Sequence, residues 1–232
     1  MPHNSHICYT LDMSMRKVEL VEGEFYHLYN RGNSKQKIFN HKSDFERFVN
    51  LLFLANSKNS FNFFNLLKDK HIYDFEREDT LVDIGAYVLM PNHFHILITP
   101  KKEGGISKFM QKLTTAYVMY YNQKYKRTGG LFEGKFKSQH LDNDRYLKYI
   151  FSYIHLNPIK LIKPKWKELG IKNKIEALDF LRGYIFSSYL DYKNSNREQS
   201  IIINKNPFPN YFSDAKDFDT EILDWFNFNK EL

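Results

Sequence analysis

One stretch near the middle of the chain decides the fold: Tyr87-Val-Leu-Met-Pro-Asn-His-Phe-His-Ile-Leu-Ile-Thr-Pro100. The residues from Gly85 to Met90 and from His93 to Thr99 are apolar and rich in strand-forming types. Pro91-Asn92 between them is typical of a turn. The stretch therefore predicts a pair of strands joined by a turn.

The second strand of this pair carries two histidines. His93 and His95 are two residues apart, so their side chains project from the same face of a strand, while Phe94 points the other way into a core. Two neutral imidazoles side by side supply half of a metal site. Paired histidines are also common as ordinary surface or packed residues, so a functional site needs a third ligand and a reactive group elsewhere.

Length and composition indicate a globular protein. The 232 residues are enough for one or two domains, and 42% of them are hydrophobic. No apolar run of about 18 residues or more occurs, and Met1 to Arg16 lacks the apolar middle of a signal peptide. The single cysteine, Cys8, excludes an internal disulfide framework and a cysteine-based zinc site. We therefore expect a cytoplasmic protein with no membrane span.

The charge balance is basic, with a net charge of +7, and 17% of the residues are aromatic. Basic side chains among aromatic rings suit single-stranded nucleic acid, because bases stack on rings while phosphates meet lysine and arginine. A composition rich in Lys, Asn, Ile, Phe and Tyr is equally typical of proteins from AT-rich genomes. Composition alone leaves nucleic-acid binding open.

The order of elements predicts the fold class. The patterns indicate, in order, a strand at Glu24–Asn30, a helix from Ser43, the strand pair at 82–99, a helix at Ser107–Tyr125, a basic strand or loop at Phe132–Leu141 and a helix at 144–157. This order favours an α+β fold of the ferredoxin-like type, with helices on one face of an antiparallel sheet. His93 and His95 would lie on the open face or under the last helix.

The rest of the chain is less regular. Residues 56–80 fit either an extra helix or a long loop, and a mainly helical region follows residue 163, with a last helix at Asp217–Phe228. We expect an N-terminal segment (1–19), a catalytic domain (20–162) and a C-terminal accessory region (163–232).

The helix at 145–157 supplies candidates for the missing ligand and the reactive group. Tyr153 and Asn157 are four residues apart and share one helix face, and Tyr149 shares it too. The amide oxygen of Asn157 is a fair ligand for a hard metal, and the phenol of Tyr153 is a possible nucleophile. Aromatic residues at helical spacing are also typical of a packed core.

Together these motifs resemble the single-tyrosine HUH transposases. His93-Phe-His95 after Pro91-Asn92 is similar to the family's His-hydrophobic-His motif, and Tyr153-Ile-His-Leu-Asn-Pro158 to its catalytic helix. Tyr26-His-Leu-Tyr-Asn-Arg-Gly32 resembles its opening strand. Leu131-Phe-Glu-Gly-Lys-Phe-Lys-Ser138 and Phe186-Ser-Ser-Tyr189 resemble the branch of REP-associated tyrosine transposases. The resemblance covers about residues 20–192, and the motifs occur in the family's order.

The resemblance implies metal-dependent cleavage and strand transfer of single-stranded or hairpin DNA through a 5′-phosphotyrosine intermediate. Tyr153 would be the nucleophile, and His93, His95 and Asn157 would bind Mg²⁺ or Mn²⁺. The resemblance implies no protein partner and is compatible with a monomer or a homodimer.

Several assignments stay open at this point. Tyr149 is a rival nucleophile, although it lies two helical turns from Asn157, and His155 should face away from the metal. Candidate DNA contacts are Arg31, Lys135 and Lys137, for which simple solvation is the alternative. His140 is a weaker candidate for the site.

Two other function classes compete with the transposase. One is a domesticated protein that binds hairpin DNA or RNA without cutting it, although a pure binder has no chemical need for all four residues of the implied site. The other is a replication or conjugation nuclease of related chemistry, against which the short chain and the lack of a helicase-like segment count.

Overall fold

Four strands form one antiparallel sheet in the part of the chain that the structure describes. The structure is a computed structural model, and it describes residues 20–63, 71–211 and 215–224. The strands are β1 (Tyr26–Arg31), β2 (Val82–Met90), β3 (His93–Pro100) and β4 (Lys137–His140). Their order across the sheet is β2-β3-β1-β4, so β3 is bonded on both sides.

Helices connect and cover these strands. The helices are α1 (Lys42–Ala55), α2 (Gly105–Lys124), α3 (Asp144–Leu156), α4 (Trp166–Leu169), α5 (Lys174–Gly183), α6 (Tyr189–Tyr192) and α7 (Ala215–Asp224). Short 3₁₀ turns lie at Asn33–Lys35, Ile72–Asp74, Asn157–Leu161 and Glu198–Ile202. The succession β1-α1-β2-β3-α2-β4, with this strand order, is the ferredoxin-like arrangement, so the predicted α+β class is confirmed.

The alternation of β3 divides the molecule into two cores. Phe94, Ile96 and Ile98 are fully buried with residues of α1 and α2 on one face of the sheet. Leu97 faces the other way and joins a second core, which includes residues of α3 and of the C-terminal helices. The predicted inward orientation of Phe94 is thereby confirmed.

The expectation that helices cover only one face of the sheet is wrong. The second face is covered by α3 and the C-terminal region, whose Trp166, Leu181 and Tyr189 are buried together with Val88 of β2. The physical reason is that β2 is apolar on both faces, and a strand of that kind needs cover on both. This second core contains residues from both sides of position 162.

The C-terminal region also closes the free edge of β2. Ser187 forms an isolated antiparallel bridge with Val88, and the Leu89 N–H donates to the Phe186 carbonyl at 3.0 Å. The Ser188 hydroxyl accepts from the Tyr87 N–H at 2.9 Å. A capped edge cannot pair with another chain, which gives the aromatic segment around residue 187 a structural role.

Several boundaries differ from the predicted ones. The basic segment at 132–141 is mostly loop and becomes a strand only at Lys137, where it pairs with β1. In the 56–80 segment the structure describes one short 3₁₀ turn near residue 73, and residues 64–70 lie outside the described ranges. The N-terminal segment 1–19 and the end of the predicted tail helix also lie outside them. Within those ranges no helix is both long and apolar enough to cross a membrane.

The first prediction concerns a buried ion pair within the C-terminal region, between Arg197 and Asp191. Arg197 donates to both carboxylate oxygens of Asp191, at 2.7 and 2.5 Å, and the Asp191 side chain is only 2% exposed. Arg197→Met should lower the free energy of unfolding by about 3–5 kcal/mol, because it leaves a buried carboxylate without its cation. Urea denaturation measures the loss. Lys42→Met, which breaks the exposed pair with Glu46, is the matched control and should cost at most about 1 kcal/mol. Equal decreases in the free energy of unfolding in the two variants would show that the buried Arg197–Asp191 pair does not stabilise the fold more than an exposed pair does.

Candidate active site

The candidate site lies between β1, β3 and α3, on the sheet face that α3 covers. His27 of β1 and His95 of β3 project from this face, and their rings stack with centroids 5.0 Å apart. The ring of Tyr153, on α3, meets the His95 ring edge-on at 5.3 Å between centroids and the His27 ring at 6.2 Å. The structure therefore brings the predicted nucleophile against one of the predicted ligands.

The hydrogen bonds around His93 define its tautomer. Asn92 donates from Nδ2 to the Lys35 carbonyl at 3.3 Å, which leaves its Oδ1 as an acceptor for His93 Nδ1 at 2.6 Å. His93 Nδ1 must then carry the proton. The lone pair of the neutral ring is on Nε2, which is the nitrogen available to a metal.

His95 is held by a second buried hydrogen bond. His27 Nε2 and His95 Nδ1 are 2.8 Å apart, and the two side chains are 4% and 7% exposed. If His95 donates from Nδ1, His27 Nε2 accepts, and the His95 lone pair is again on Nε2. His27 Nδ1 is buried and has no hydrogen-bond partner within the described ranges. Both predicted ligands thus have Nδ1 engaged by a neighbouring side chain.

Asn157 lies beside His93 at the end of α3. It is fully buried, and its interaction with His93 raises the pKa of that imidazole. Neither Oδ1 nor Nδ2 completes a hydrogen bond of good geometry within the described ranges, which is unusual for a buried amide. A chain turn places it there, since α3 ends at Leu156 and a 3₁₀ turn with Pro158 follows.

Two imidazoles and one amide make an unusual donor set. Among the described residues, no group of three His, Cys, Asp or Glu side chains is placed to hold a metal ion together. A metal at His93 and His95 therefore needs a ligand of another type. The buried oxygen of Asn157 has the hardness that Mg²⁺ and Mn²⁺ prefer, so the residues present fit such an ion.

The electrostatics keep the imidazoles neutral. Burial, together with the nearby cation of Lys160, lowers the pKa of His93 to about 4. Burial alone lowers the pKa of His27 to about 4. Lys160 Nζ also lies 5.5 Å from the centroid of the Tyr153 ring. The site thus combines neutral nitrogen donors with one lysine, an arrangement suited to an anionic ligand.

The rival nucleophile lies farther from the histidines. Tyr149 stacks on Tyr153, with centroids 6.1 Å apart, and on Tyr146 at 6.2 Å. Burial, together with the neighbouring Tyr153, raises the pKa of Tyr149. The three tyrosines form a ladder along α3, and Tyr153 is its member nearest to His95.

The predicted DNA contacts occupy three different environments. Arg31 forms a two-pronged ion pair with Glu133, which raises its pKa, so its charge is already matched in the protein alone. Lys137 is exposed and pairs across the sheet with Tyr29, which puts it on the site's face. Lys135 is exposed in the loop before β4.

The remaining histidines of the motifs lie away from the site. His155 is fully buried in the second core, where Nδ1 donates to the Phe151 carbonyl at 2.9 Å and Nε2 accepts from the Ser188 hydroxyl at 2.8 Å. His140 pairs with Tyr26 on the opposite face of the sheet and binds Glu24 at 2.7 Å. His155 is therefore structural, and His140 does not approach the site.

Sequence reasoning missed three residues of this site. In the sequence motifs His27 occurs only as a residue of the opening strand and Asn92 only as a turn residue, and Lys160 belongs to none of them. The strand register that brings His27 beside His95 joins segments 68 residues apart, and no local pattern encodes it. A signal did exist for Asn92, because an amide side chain directly before a histidine is within reach of its Nδ1.

Comparison with known protein families gives a match over most of the described sheet domain. Residues 21–157 match the family described as "Transposase IS200 like". Because that match spans more than half of the 232 residues, the chain belongs to this family of DNA-processing proteins. The resemblance seen in the sequence motifs is thereby confirmed.

A solved structure is also similar. It is described as "Structure of the REP associates tyrosine transposase bound to a REP hairpin", with 13% identity, coverage of 78% of this chain and 85% of that one, and a TM-score of 0.46. None of the curated proteins matches the chain.

The second prediction concerns pH and follows from the buried His155. Burial lowers the pKa of His155 from 6.5 to about 3. Between about pH 3 and pH 6.5, His155 is therefore protonated in the unfolded chain and neutral in the folded protein. The contribution of neutral His155 to the free energy of unfolding is fully present above about pH 6.5. As the pH falls below that value, the free energy of unfolding decreases by up to about 1.4 kcal/mol per pH unit. Urea denaturation at a series of pH values should show a shallower acid loss in His155→Gln. Identical pH slopes in the two proteins would show that His155 does not titrate in this way.

Proposed function

We propose that the protein cleaves single-stranded DNA and transfers the strand through a 5′-phosphotyrosine intermediate, with a divalent metal and with hairpin or repeat DNA as substrate. One observation carries the proposal: Tyr153 packs against His95, while Asn157, one helical turn further on, lies beside His93. A nucleophile and a ligand set for a hard metal therefore meet at one place.

Tyr153 supplies the nucleophile. Its phenol oxygen forms the new bond to phosphorus, the bond from phosphorus to the 3′-oxygen of the preceding nucleotide breaks, and that oxygen leaves as a 3′-hydroxyl after taking a proton. A phenol with an ordinary pKa of about 10 is a better leaving group than an alkyl hydroxyl. The link is therefore reversible, and a second 3′-hydroxyl can attack it and complete strand transfer.

The metal site would be formed by His93 Nε2, His95 Nε2 and Asn157 Oδ1. A bound Mg²⁺ or Mn²⁺ supplies Lewis-acid polarisation of the scissile phosphate and orients it for attack. The chain itself keeps His93 neutral by burial, and it holds the Nδ1 atoms of His93 and His95 through Asn92 and His27. These residues would present their lone pairs to the metal, which would in turn contact the phosphate.

Other residues of the site would bind and orient the DNA. Lys160 places a cation near the Tyr153 ring, where it would neutralise a phosphate oxygen. Lys137 and the Arg31–Glu133 pair flank the same sheet face at its β4 side and at the end of β1. The solved structure that resembles this chain is of a protein bound to a hairpin, and we extend that substrate class to this protein as part of the proposal.

The third prediction tests the nucleophile. Tyr153→Phe should abolish cleavage and the covalent protein–DNA adduct, because it removes the attacking oxygen, while folding and DNA binding stay within about twofold of wild type since the ring is kept. The measurement is a denaturing gel with labelled single-stranded DNA that flanks the protein's own gene. Tyr149→Phe is the matched control and should retain the adduct, because the Tyr149 ring stacks on Tyr153 and lies farther from His95.

The possible outcomes separate the competing functions. An adduct lost in Tyr149→Phe but kept in Tyr153→Phe would reverse the nucleophile assignment. Cleavage that persists in both variants without an adduct would indicate water as nucleophile and a simple metal nuclease. Tight hairpin binding with no cleavage under any metal would favour the non-cutting binding protein.

The fourth prediction tests the support of the metal site. His95→Ala should abolish Mn²⁺ binding, and His27→Phe should weaken it about 10–100-fold, because His95 Nδ1 loses the partner that fixes its tautomer. His27→Gln retains an acceptor at a similar reach and should recover most of the affinity. Electron paramagnetic resonance of Mn²⁺ measures this binding without DNA or catalysis. Equal Mn²⁺ affinities in wild type and His27→Phe would remove His27 from the site's supporting residues.

A further inference from the structure

The positive charge of the protein is concentrated next to the candidate site. Residues 160–174 contain six lysines and one acidic residue, Glu168, so this segment carries +5 of the chain's net charge of +7. The segment includes the end of the 3₁₀ turn that begins at Asn157, the helix α4 and the start of α5. It follows directly on the helix that bears Tyr153.

The lysines of this segment are available to a ligand. Lys163, Lys165 and Lys172 are exposed. Within the described ranges, the ion pairs of these three lysines are limited to a long contact of 3.7 Å between Lys163 and Glu176, and both of those side chains are about half exposed. Such a pair is worth little in water, so it does not neutralise the segment. The local field is therefore strongly positive and open to solvent.

The three lysines line a groove that has an apolar component. The groove has a volume of about 490 Å³, and it is also lined by Ile162, Pro164, Trp166 and Leu169. Leu169 is 72% exposed, and Ile175, just beyond the groove, is 74% exposed. Lysines beside exposed apolar side chains match a nucleic-acid strand whose bases are unpaired, because phosphates meet the cations and base faces cover the apolar groups. A duplex stem presents mainly phosphates and offers those apolar groups no partner.

Lys160 connects the basic segment to the site along the chain. Lys160 belongs to the same basic segment, yet its Nζ lies 5.5 Å from the Tyr153 ring and its charge acts on His93. A phosphate bound at Lys160 would lie close to the Tyr153 ring and so to the scissile position. The next phosphates along the strand would then reach Lys163 and Lys165, a few residues further along the chain.

We propose that residues 160–174 form a binding track for the single-stranded DNA that flanks the cleavage position, with Lys163, Lys165 and Lys172 as its phosphate contacts. This inference rests on the proposed function, since it assigns the track to the same DNA substrate. It lies outside the residues that match the transposase family, which end at 157.

The test replaces Lys163, Lys165 and Lys172 by Gln in the full chain and measures DNA binding by fluorescence anisotropy without metal. The probes are a mixed-sequence single strand and a blunt hairpin with no single-stranded flank. For the single strand, the slope of log affinity against log salt should fall by about 2, or about 0.7 per lost phosphate contact, and low-salt affinity should fall roughly tenfold. Binding of the blunt hairpin should change less than about twofold.

The matched control removes the same charge from the other side of the sheet. Lys102, Lys108 and Lys126 lie before, within and just after α2, which packs on the face opposite Tyr153. Their triple change to Gln should leave both binding curves close to wild type. Circular dichroism of both triple variants should show native folding, because five of the six lysines are exposed and Lys102 is partly exposed.

Three results would overturn the track. One is an unchanged salt slope in the Lys163, Lys165 and Lys172 variant, and another is an equal loss in the Lys102, Lys108 and Lys126 control, which would show only a net-charge effect. The third is an equal loss for the blunt hairpin, which would assign the groove to a duplex stem. Adduct formation by Tyr153 is scored separately. A wild-type protein that binds through the track but never forms the adduct would refute the proposed chemistry and leave the track intact.

Discussion

The position of β3 in the centre of the sheet is the constraint on which the site depends. β3 is hydrogen-bonded to β1 on one side and to β2 on the other, so its register is held twice. A slip by one residue would move Phe94 to the site face and His95 into the core of α1 and α2, which burial and polarity both oppose. The burial of Phe94 in the core with α1 and α2 therefore fixes the direction in which His93 and His95 point, although neither histidine belongs to that core.

The helix α3 forms the other side of the site, and packing in a core fixes its orientation as well. Its Ile150, Phe151 and Ile154 are buried in the second core, which fixes the rotation of the helix about its axis. With that rotation fixed, Tyr153 turns towards the histidines. The C-terminal region contributes to this core through α5, α6 and α7 and also caps the edge of β2. It thus supports the site from a distance, without supplying any of the four residues predicted for it.

Sequence patterns predicted the features that are local. The alternation of His93, Phe94 and His95 and the four-residue spacing of Tyr153 and Asn157 are short-range, and they follow from strand and helix periods alone. The partnership of His27 with His95 depends on strand register between distant segments, and cover of the second face depends on how the irregular C-terminal region docks. Neither is encoded in a periodicity. Lys160 was not predicted, because it lies beyond the Tyr153–Pro158 motif and no strand or helix period relates it to the site.

The choice of neutral donors has a consequence for how the proposed chemistry would be ordered. Two imidazoles and an amide bring no negative charge, whereas burial and Lys160 disfavour any protonated, positively charged state of His93. A divalent cation held by such a set keeps its full charge until an anionic phosphate arrives. In the proposed mechanism the phosphate would therefore strengthen metal binding, and by linkage the metal would strengthen DNA binding by the same factor. A carboxylate ligand would weaken this coupling by neutralising the cation in advance. The proposed site would therefore bind its metal in the free protein and bind it more tightly when the substrate strand is in place.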